Sequence, residues 1–167
     1  MAVRRLAGAG RTDVRAAPAA VLAALLDPAV LAALIPGADS VEQSGDGRFC
    51  ALLSFGVGTL RSRYRIELDL SGRDHAQAIL LQGSSRGGLG GGSATGRVAL
   101  RQSRPGRTSI DWSYEGEVTG AVALAGDTLL QLSARLFVHR FFAALSRFQF
   151  PADSTPRRPP RQRVPTT

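Results

Sequence analysis

Two histidines, one cysteine and thirteen carboxylates are the groups from which this 167-residue chain would have to build a metal site, a nucleophile or an acid–base pair. Their spacing supports none of these. His75 and His139 have no ligand-type companion three or four residues away, and Cys50 stands outside any paired motif, so no metal cage forms. Acid–base work by paired carboxylates needs one of them held in apolar surroundings. Asp111, Glu115 and Glu117 instead share the polar positions of one alternating segment, a solvated row. All 21 basic side chains are Arg, which removes both a Schiff-base Lys and a phosphate-loop Lys. The run from Gly87 to Gly92 completes no GxGxxG register, since Ser93 and Thr95 occupy the third positions, and it leads into a strand rather than a helix. It reads as a flexible hairpin loop at the mouth of an interior space. Tyr64 and Tyr114 remain: a buried tyrosine hydroxyl either donates to a ligand carbonyl or is satisfied within the core. The chemistry on offer is binding.

The elements that would position such groups follow from hydrophobic period. Residues 122–148 predict one long helix, about 40 Å at the usual rise. Leu130, Ala134, Phe137, Phe141, Leu145 and Phe148 line its apolar stripe, with Thr128, Gln131, Arg135, His139 and Ser146 opposite. Phe142 falls among the polar residues, and Leu132 and Leu136 lie outside the stripe, so the helix is more apolar than one packing face requires. Upstream, residues 3–15 suit a first strand. Pro18 opens a short helix with Val21, Leu22, Leu25 and Leu26 buried. Asp27 caps a second helix with Pro28 in its first turn and Val30, Leu31, Leu34 and Ile35 inward, until Pro36 and Gly37 stop it.

From Asp39 the period is two. Phe49, Ala51, Leu53 and Phe55 share one face of a strand. Leu60, Tyr64, Ile66, Leu68 and Leu70 share the buried face of the next, with only Ser62 breaking the row, and Arg61, Arg63, Arg65, Glu67 and Asp69 face water. A weaker strand covers 75–83. Ala94, Gly96, Val98 and Leu100 alternate before the Pro105-Gly106 turn, and Ile110, Trp112, Tyr114 and Val118 after it. A two-residue loop there would set Leu100 opposite Asp111. A three-residue loop or a bulge would pair Leu100 with Ile110 instead, with Arg97 diagonal to Asp111 and Glu115, and the prediction is an odd-length loop.

Composition bounds the remaining readings. The chain is one domain over 1–150, followed by a Pro/Arg-rich tail over 151–167 expected to be disordered. The tail holds Arg157, Arg158, Arg161 and Arg163 against Asp153, so part of the +8 net charge sits outside the domain. The other Arg residues are spaced along strands without an aromatic stacking platform, which argues against nucleic acid. A single Cys forms no internal disulfide. The apolar run from Ala16 to Leu26 is interrupted by Asp27 and Pro28, so it reads as folded helix rather than secretion signal, and no segment is apolar enough to span a bilayer.

Ala17-Pro18-Ala19-Ala20-Val21-Leu22, Leu26-Asp27-Pro28 and Leu34-Ile35-Pro36-Gly37-Ala38 together resemble the carbon monoxide dehydrogenase CoxG family of the START-like, polyketide-cyclase-like (SRPBCC) superfamily. Gly45-Asp46-Gly47, Phe55-Gly56-Val57-Gly58, the Gly run into Gly96, Tyr114 through Gly120, Leu124-Ala125-Gly126 and Phe141-Phe142 extend the likeness over residues 10–148. The resemblance implies an α+β helix-grip fold: an antiparallel sheet of about six to seven strands wrapped around a long C-terminal helix, with two short helices after the first strand and an apolar cavity inside. It also implies partnership with a molybdenum-containing carbon monoxide dehydrogenase-type hydroxylase, attachment of that enzyme to the membrane and electron transfer to quinone. The tail carries no amphipathic helix, which leaves electrostatic contact with anionic lipid.

The functional expectation is a non-catalytic carrier of quinone or a similar isoprenoid lipid, without metal or covalent cofactor. It would be cytoplasmic, with or without peripheral contact at the inner face of the cell membrane. The cavity would be lined by Phe49, Leu53, Phe55, Tyr64, Ile66, Leu68, Trp112, Tyr114, Leu130, Ala134, Phe137 and Phe141. The alternatives are a cyclase or aromatase-like enzyme, which needs a polar group inside the cavity, and an assembly factor with a filled core.

Overall fold

Period-two patterning carries most of this chain into strands, and a computed structural model describes residues 2–151 as seven of them with three α-helices. The expectation for the tail lies outside the described residues, except at Pro151. The strands are β1 (Val3–Val14), β2 (Ala38–Gly45), β3 (Arg48–Val57), β4 (Leu60–Arg73), β5 (Ile79–Gly87), β6 (Gly90–Arg104) and β7 (Arg107–Thr119). They form one antiparallel sheet in the order β1-β7-β6-β5-β4-β3-β2. Helices α1 (Pro18–Leu25) and α2 (Pro28–Leu34) follow β1, and α3 (Asp127–Arg147) ends the domain. This is the helix-grip arrangement that the resemblance implied.

The two short helices form for the reasons legible in sequence. Pro18 and Pro28 sit in the first turns, where a missing N–H costs nothing. The Asp27 carboxylate accepts from the Ala29 N–H at 2.9 Å, satisfying one of the orphan donors of α2. Val21, Ala24, Leu25, Leu31 and Leu34 are buried from this pair.

α3 is shorter than the sequence pattern suggests. Residues Ala121–Ala125 form a separate 3₁₀ turn, and Gly126 then adopts φ 88° before α3 begins. That backbone region is open to glycine and strained for other residues, so the apolar run from Val122 is continuous in sequence but not in conformation. At 21 residues α3 is about 32 Å long.

Its buried line keeps Leu130 and Leu145 of the predicted stripe and departs from it at Phe142. Leu130, Phe142 and Leu145 are the buried residues of α3, whereas Phe137 and Phe141 are only partly covered. Phe142, assigned to the polar side by period alone, lies flat against Trp112 with ring centroids 5.2 Å apart and planes 10° from parallel. One residue is 100° of helix rotation, and a broad flat partner on β7 decides which of two adjacent phenylalanines turns in.

Two strand expectations need correction. The Gly-rich run is mostly paired strand: Gly87 lies opposite Gly90, Arg86 opposite Gly91 and Gly92 opposite Val118, leaving Gly88 and Leu89 as a tight turn. Ladder hydrogen bonds require only backbone, and here the backbone finds partners. Leu89 O also accepts from Val122 N at 2.8 Å, and Gly88 N donates to Ser62 Oγ at 3.1 Å. The hairpin tip is thus tied to β4 and to the 3₁₀ turn. The second correction is at Pro105-Gly106. Leu100 faces Ile110 and Val98 faces Trp112 as expected, but the loop has two residues and a bulge between Gln102 and Arg104 absorbs the odd one. β5 likewise begins at Ile79, after a turn in which the Asp74 carboxylate accepts from the Ala76 and Ala78 N–H groups.

Candidate ligand-binding face

The concave face of the sheet is paved with aromatics beside glycines. Gly8 lies opposite Tyr114, which also faces Gly96, while Gly10 lies opposite Trp112 and Gly87 opposite Tyr64. A Cβ at Gly8 would meet the Tyr114 ring and hydroxyl 2.6 Å away, and one at Gly10 would overlap the Trp112 indole. Each ring therefore lies down over a neighbour that has no side chain. Farther along the same face, Ala94 stands between Gly83 and Gly116 with no aromatic over them. That stretch is a floor of small residues.

α3 crosses this face from one end of the curled sheet to the other. Its densest contacts are with β1, and it reaches β3 through an edge-on pair of Phe137 and Phe55 at 5.3 Å. The middle strands are left less covered. On β4 the inward row Tyr64, Ile66 and Leu68 is half-buried, although Phe49, Ala51 and Leu53 on the neighbouring β3 are fully buried.

The predicted lining residues divide accordingly. Phe49, Leu53, Trp112 and Leu130 are buried, and Phe55, Tyr64, Ile66, Leu68, Tyr114, Ala134, Phe137 and Phe141 are half-buried. Phe49, Leu68, Trp112, Tyr114 and Phe141 belong to one core cluster centred on Trp112 and Phe142. Phe55 and Leu130 belong to a second, smaller one with Val57 and Val122 at the hairpin-tip end. Phase within the strands placed these residues; it had no means of finding Phe142 or the small-residue floor.

Polar groups on this face are few. Trp112 Nε1 is buried without a hydrogen-bond partner in the described structure, and an unpaired buried donor costs about 1–3 kcal/mol. Its ring is boxed by Phe142, by Tyr114 at 6.2 Å and by the edge of the exposed His139 at 5.6 Å. Burial pushes the pKa of the Tyr64 hydroxyl up, and that of Tyr114 up against the opposing pull of Arg135, so both hydroxyls stay protonated donors at neutral pH. Ser62, the one break in the β4 row, is engaged with the Gly88 N–H. No cluster of metal-binding side chains occurs among the described residues.

Surface clefts lie elsewhere. One of about 630 Å³ runs between the α2 end and α3, lined by Ile35, Pro36, His139, Arg140 and Arg147. Others, of about 740 and 510 Å³, lie along β1, β7 and β6, the first extending to β5 and the second to Gln131 of α3.

Charge on the outer face of the sheet is organised differently from the diagonal set expected for Arg97. Arg97 pairs with Asp74 at 2.6 Å, and Asp111 takes Arg11 at 2.7 Å and Arg101 at 2.5 Å. The hydrogen bond from Arg11, helped by Arg101, holds Asp111 below its ordinary carboxylate value, and Arg97 does the same for Asp74. A lowered folded-state value means that these pairs stabilise the fold above the unfolded carboxylate range, near pH 4, and that the contribution disappears as pH falls through the lower folded values. Urea midpoints should therefore drop between pH 5 and pH 2, and Asp111→Asn should flatten that dependence. An unchanged slope in the variant would remove Asp111 from the acid response.

Comparison with known proteins places the chain. A conserved protein from Geobacillus kaustophilus superposes with TM-score 0.76 at 26% identity, over 84% of this chain and 93% of that one. The Zhui aromatase/cyclase from Streptomyces sp. R1128 gives 0.65 at 17% identity over 87% and 92%, and a START superfamily protein from Mycobacterium smegmatis gives 0.64 at 10% over 84% and 94%. No curated protein matches the chain. The START-like fold these structures share, with a match to the family model for the CoxG subunit of carbon monoxide dehydrogenase over residues 10–148, establishes that the chain belongs to the CoxG family.

Proposed function

We propose that this protein is a non-catalytic accessory protein that binds an apolar carbonyl-bearing molecule, a quinone or similar isoprenoid lipid, between its sheet and α3. In that reading it serves a carbon monoxide dehydrogenase-type molybdenum hydroxylase. The observation that carries the reading is the half-exposed inward row of β4 beside the Gly83, Ala94 and Gly116 floor. Side chains pointing into a fold are ordinarily sealed by the layer above, and these are not. The donors on the face suit carbonyl acceptors: two protonated tyrosines and one unpaired indole N–H. No carboxylate stands on the inward rows of β3, β4 or β6, which argues against a cyclase-like enzyme needing an acid or base at the ligand.

A route to membrane lipid is supported by the exposed side of α3 and of the 3₁₀ turn before it. Leu124, Leu129, Leu132 and Leu136 are 75%, 37%, 60% and 49% exposed, an apolar ridge beginning where Gly58 of the β3–β4 hairpin approaches Leu129. Among the described residues no helix is long and apolar enough to cross a membrane, so this reading involves contact with the bilayer surface.

Mass spectrometry of small molecules released from gently purified protein, alongside native mass spectrometry, tests the carrier role. A stoichiometric quinone or polyprenyl lipid is the expected result. Ligand-free protein that also rejects added quinone would leave the assembly role standing in its place.

A further inference from the structure

We propose that the outer face of β4 and β5 is a docking surface for an acidic protein. The proposal rests on the accessory reading above and names the chemistry of the partner. Arg61, Arg63 and Arg65 alternate along β4 at about 7 Å intervals on the side away from α3. Arg65 lies directly opposite Arg86 of β5. Like charges facing each other across a ladder are destabilising, yet none of these four forms an ion pair among the described residues. Six other arginines do: Arg4, Arg5, Arg11, Arg48, Arg97 and Arg101. Asp111 neutralises Arg11 and Arg101 across β1, β7 and β6. Arg104 and Arg107 face each other at the far end of that hairpin, unpaired among the described residues, and the β4–β5 half gathers its four unpaired arginines on one face with Glu67 as their acidic neighbour.

The same face supplies an apolar centre. Leu52 of β3 is paired with Arg65 and is 45% exposed. An exposed leucine opposite Arg65 and diagonal to Arg63 has the make-up of a protein interface, an apolar spot bordered on the β4 side by groups that take carboxylates in a two-point fork. A bilayer fits less well. The apolar ridge that would enter lipid belongs to α3, the sheet stands between α3 and these arginines, and one flat surface cannot engage both.

The test compares three full-length proteins: wild type, Arg63→Glu/Arg65→Glu/Arg86→Glu, and a control of equal charge, Arg15→Glu/Arg104→Glu/Arg107→Glu, at the opposite end of the sheet. Fluorescence anisotropy with labelled polyglutamate reads acidic-protein binding. Sedimentation with phosphatidylcholine vesicles, with and without phosphatidylglycerol, reads lipid. Expected is at least a tenfold rise in polyglutamate Kd for the β4–β5 variant, about twofold or less for the control, and a melting temperature for the β4–β5 variant close to that of the control, which likewise sets Glu opposite Glu across a ladder. Equal losses in the two variants would reduce the effect to net charge. Lost vesicle binding with polyglutamate binding retained would make the bilayer the occupant, and a melting temperature well below the control's would make the arginines structural; each overturns the proposal. Quinone binding is read separately on the same proteins. A chain that binds polyglutamate at this face and no quinone keeps the docking surface and removes the carrier.

Discussion

Phe142→Ala should cost about 3–5 kcal/mol of folding stability, while Phe137→Ala should cost about 1–2. Both are phenylalanines on α3, five residues apart. Phe142 is 6% exposed and stacked on Trp112 in the main core cluster, so its removal leaves a void in a site whose walls cannot collapse inward. Phe137 is half-buried and meets Phe55 edge-on; its loss opens space that is already partly open. In the carrier reading the order reverses for ligand, with Phe137→Ala weakening a short-chain ubiquinone more than Phe142→Ala does. Urea titrations and fluorescence quenching measure the two sides. Equal stability losses would mean that the space beside Phe137 is as filled as the core, and the assembly reading would gain.

The second large effect is expected from Ala94→Phe. Ala94 sits between two inward-facing glycines, as Tyr114 sits between Gly8 and Gly96, and the Tyr114 ring lies over Gly8. A phenylalanine there can lie down over Gly116, as cross-strand aromatics do over bare glycine, since Leu68 and Leu81 already stand over Gly83. Stability should stay within about 1 kcal/mol of wild type, since the ring enters open space instead of a packed core. Quinone affinity should fall at least tenfold, about 1.4 kcal/mol. A loss of several kcal/mol would show the floor to be already covered, and unchanged affinity would put the ligand elsewhere.

These two sites also mark where reading the sequence succeeded and where it stopped. Strand phase was legible because each strand has a wet face: Arg61, Arg63 and Arg65 announce that Tyr64, Ile66 and Leu68 point inward. Register at the Pro105-Gly106 turn was legible from charge and apolarity, though whether a loop or a bulge took the odd residue was not. The helix was harder because α3 is apolar on more than one side. With Leu129, Leu132 and Leu136 exposed, period alone cannot say which phenylalanine turns inward; the Trp112 ring on another element decides. The Gly-rich run misled for a related reason. A glycine run without a partner is flexible, and only the neighbouring strands show that it has two. The floor around Ala94 depends on cross-strand neighbours distant in sequence, which no local window contains.

Gln131 has a consequence for how this protein behaves at high concentration. β1 is an outermost strand, and an outermost strand offers free N–H and C=O groups on which a foreign chain can build. Here the Gln131 amide accepts from Ala7 N at 3.5 Å and donates to Arg5 O at 3.3 Å, so α3 plugs that ladder with one side chain. β2, at the opposite border, is short and kinked by irregularities near Ser40 and Ser44, and it carries Glu42 and Gln43. Neither border is a straight, vacant template. By this arrangement the sheet resists growing into fibrils for as long as α3 stays seated.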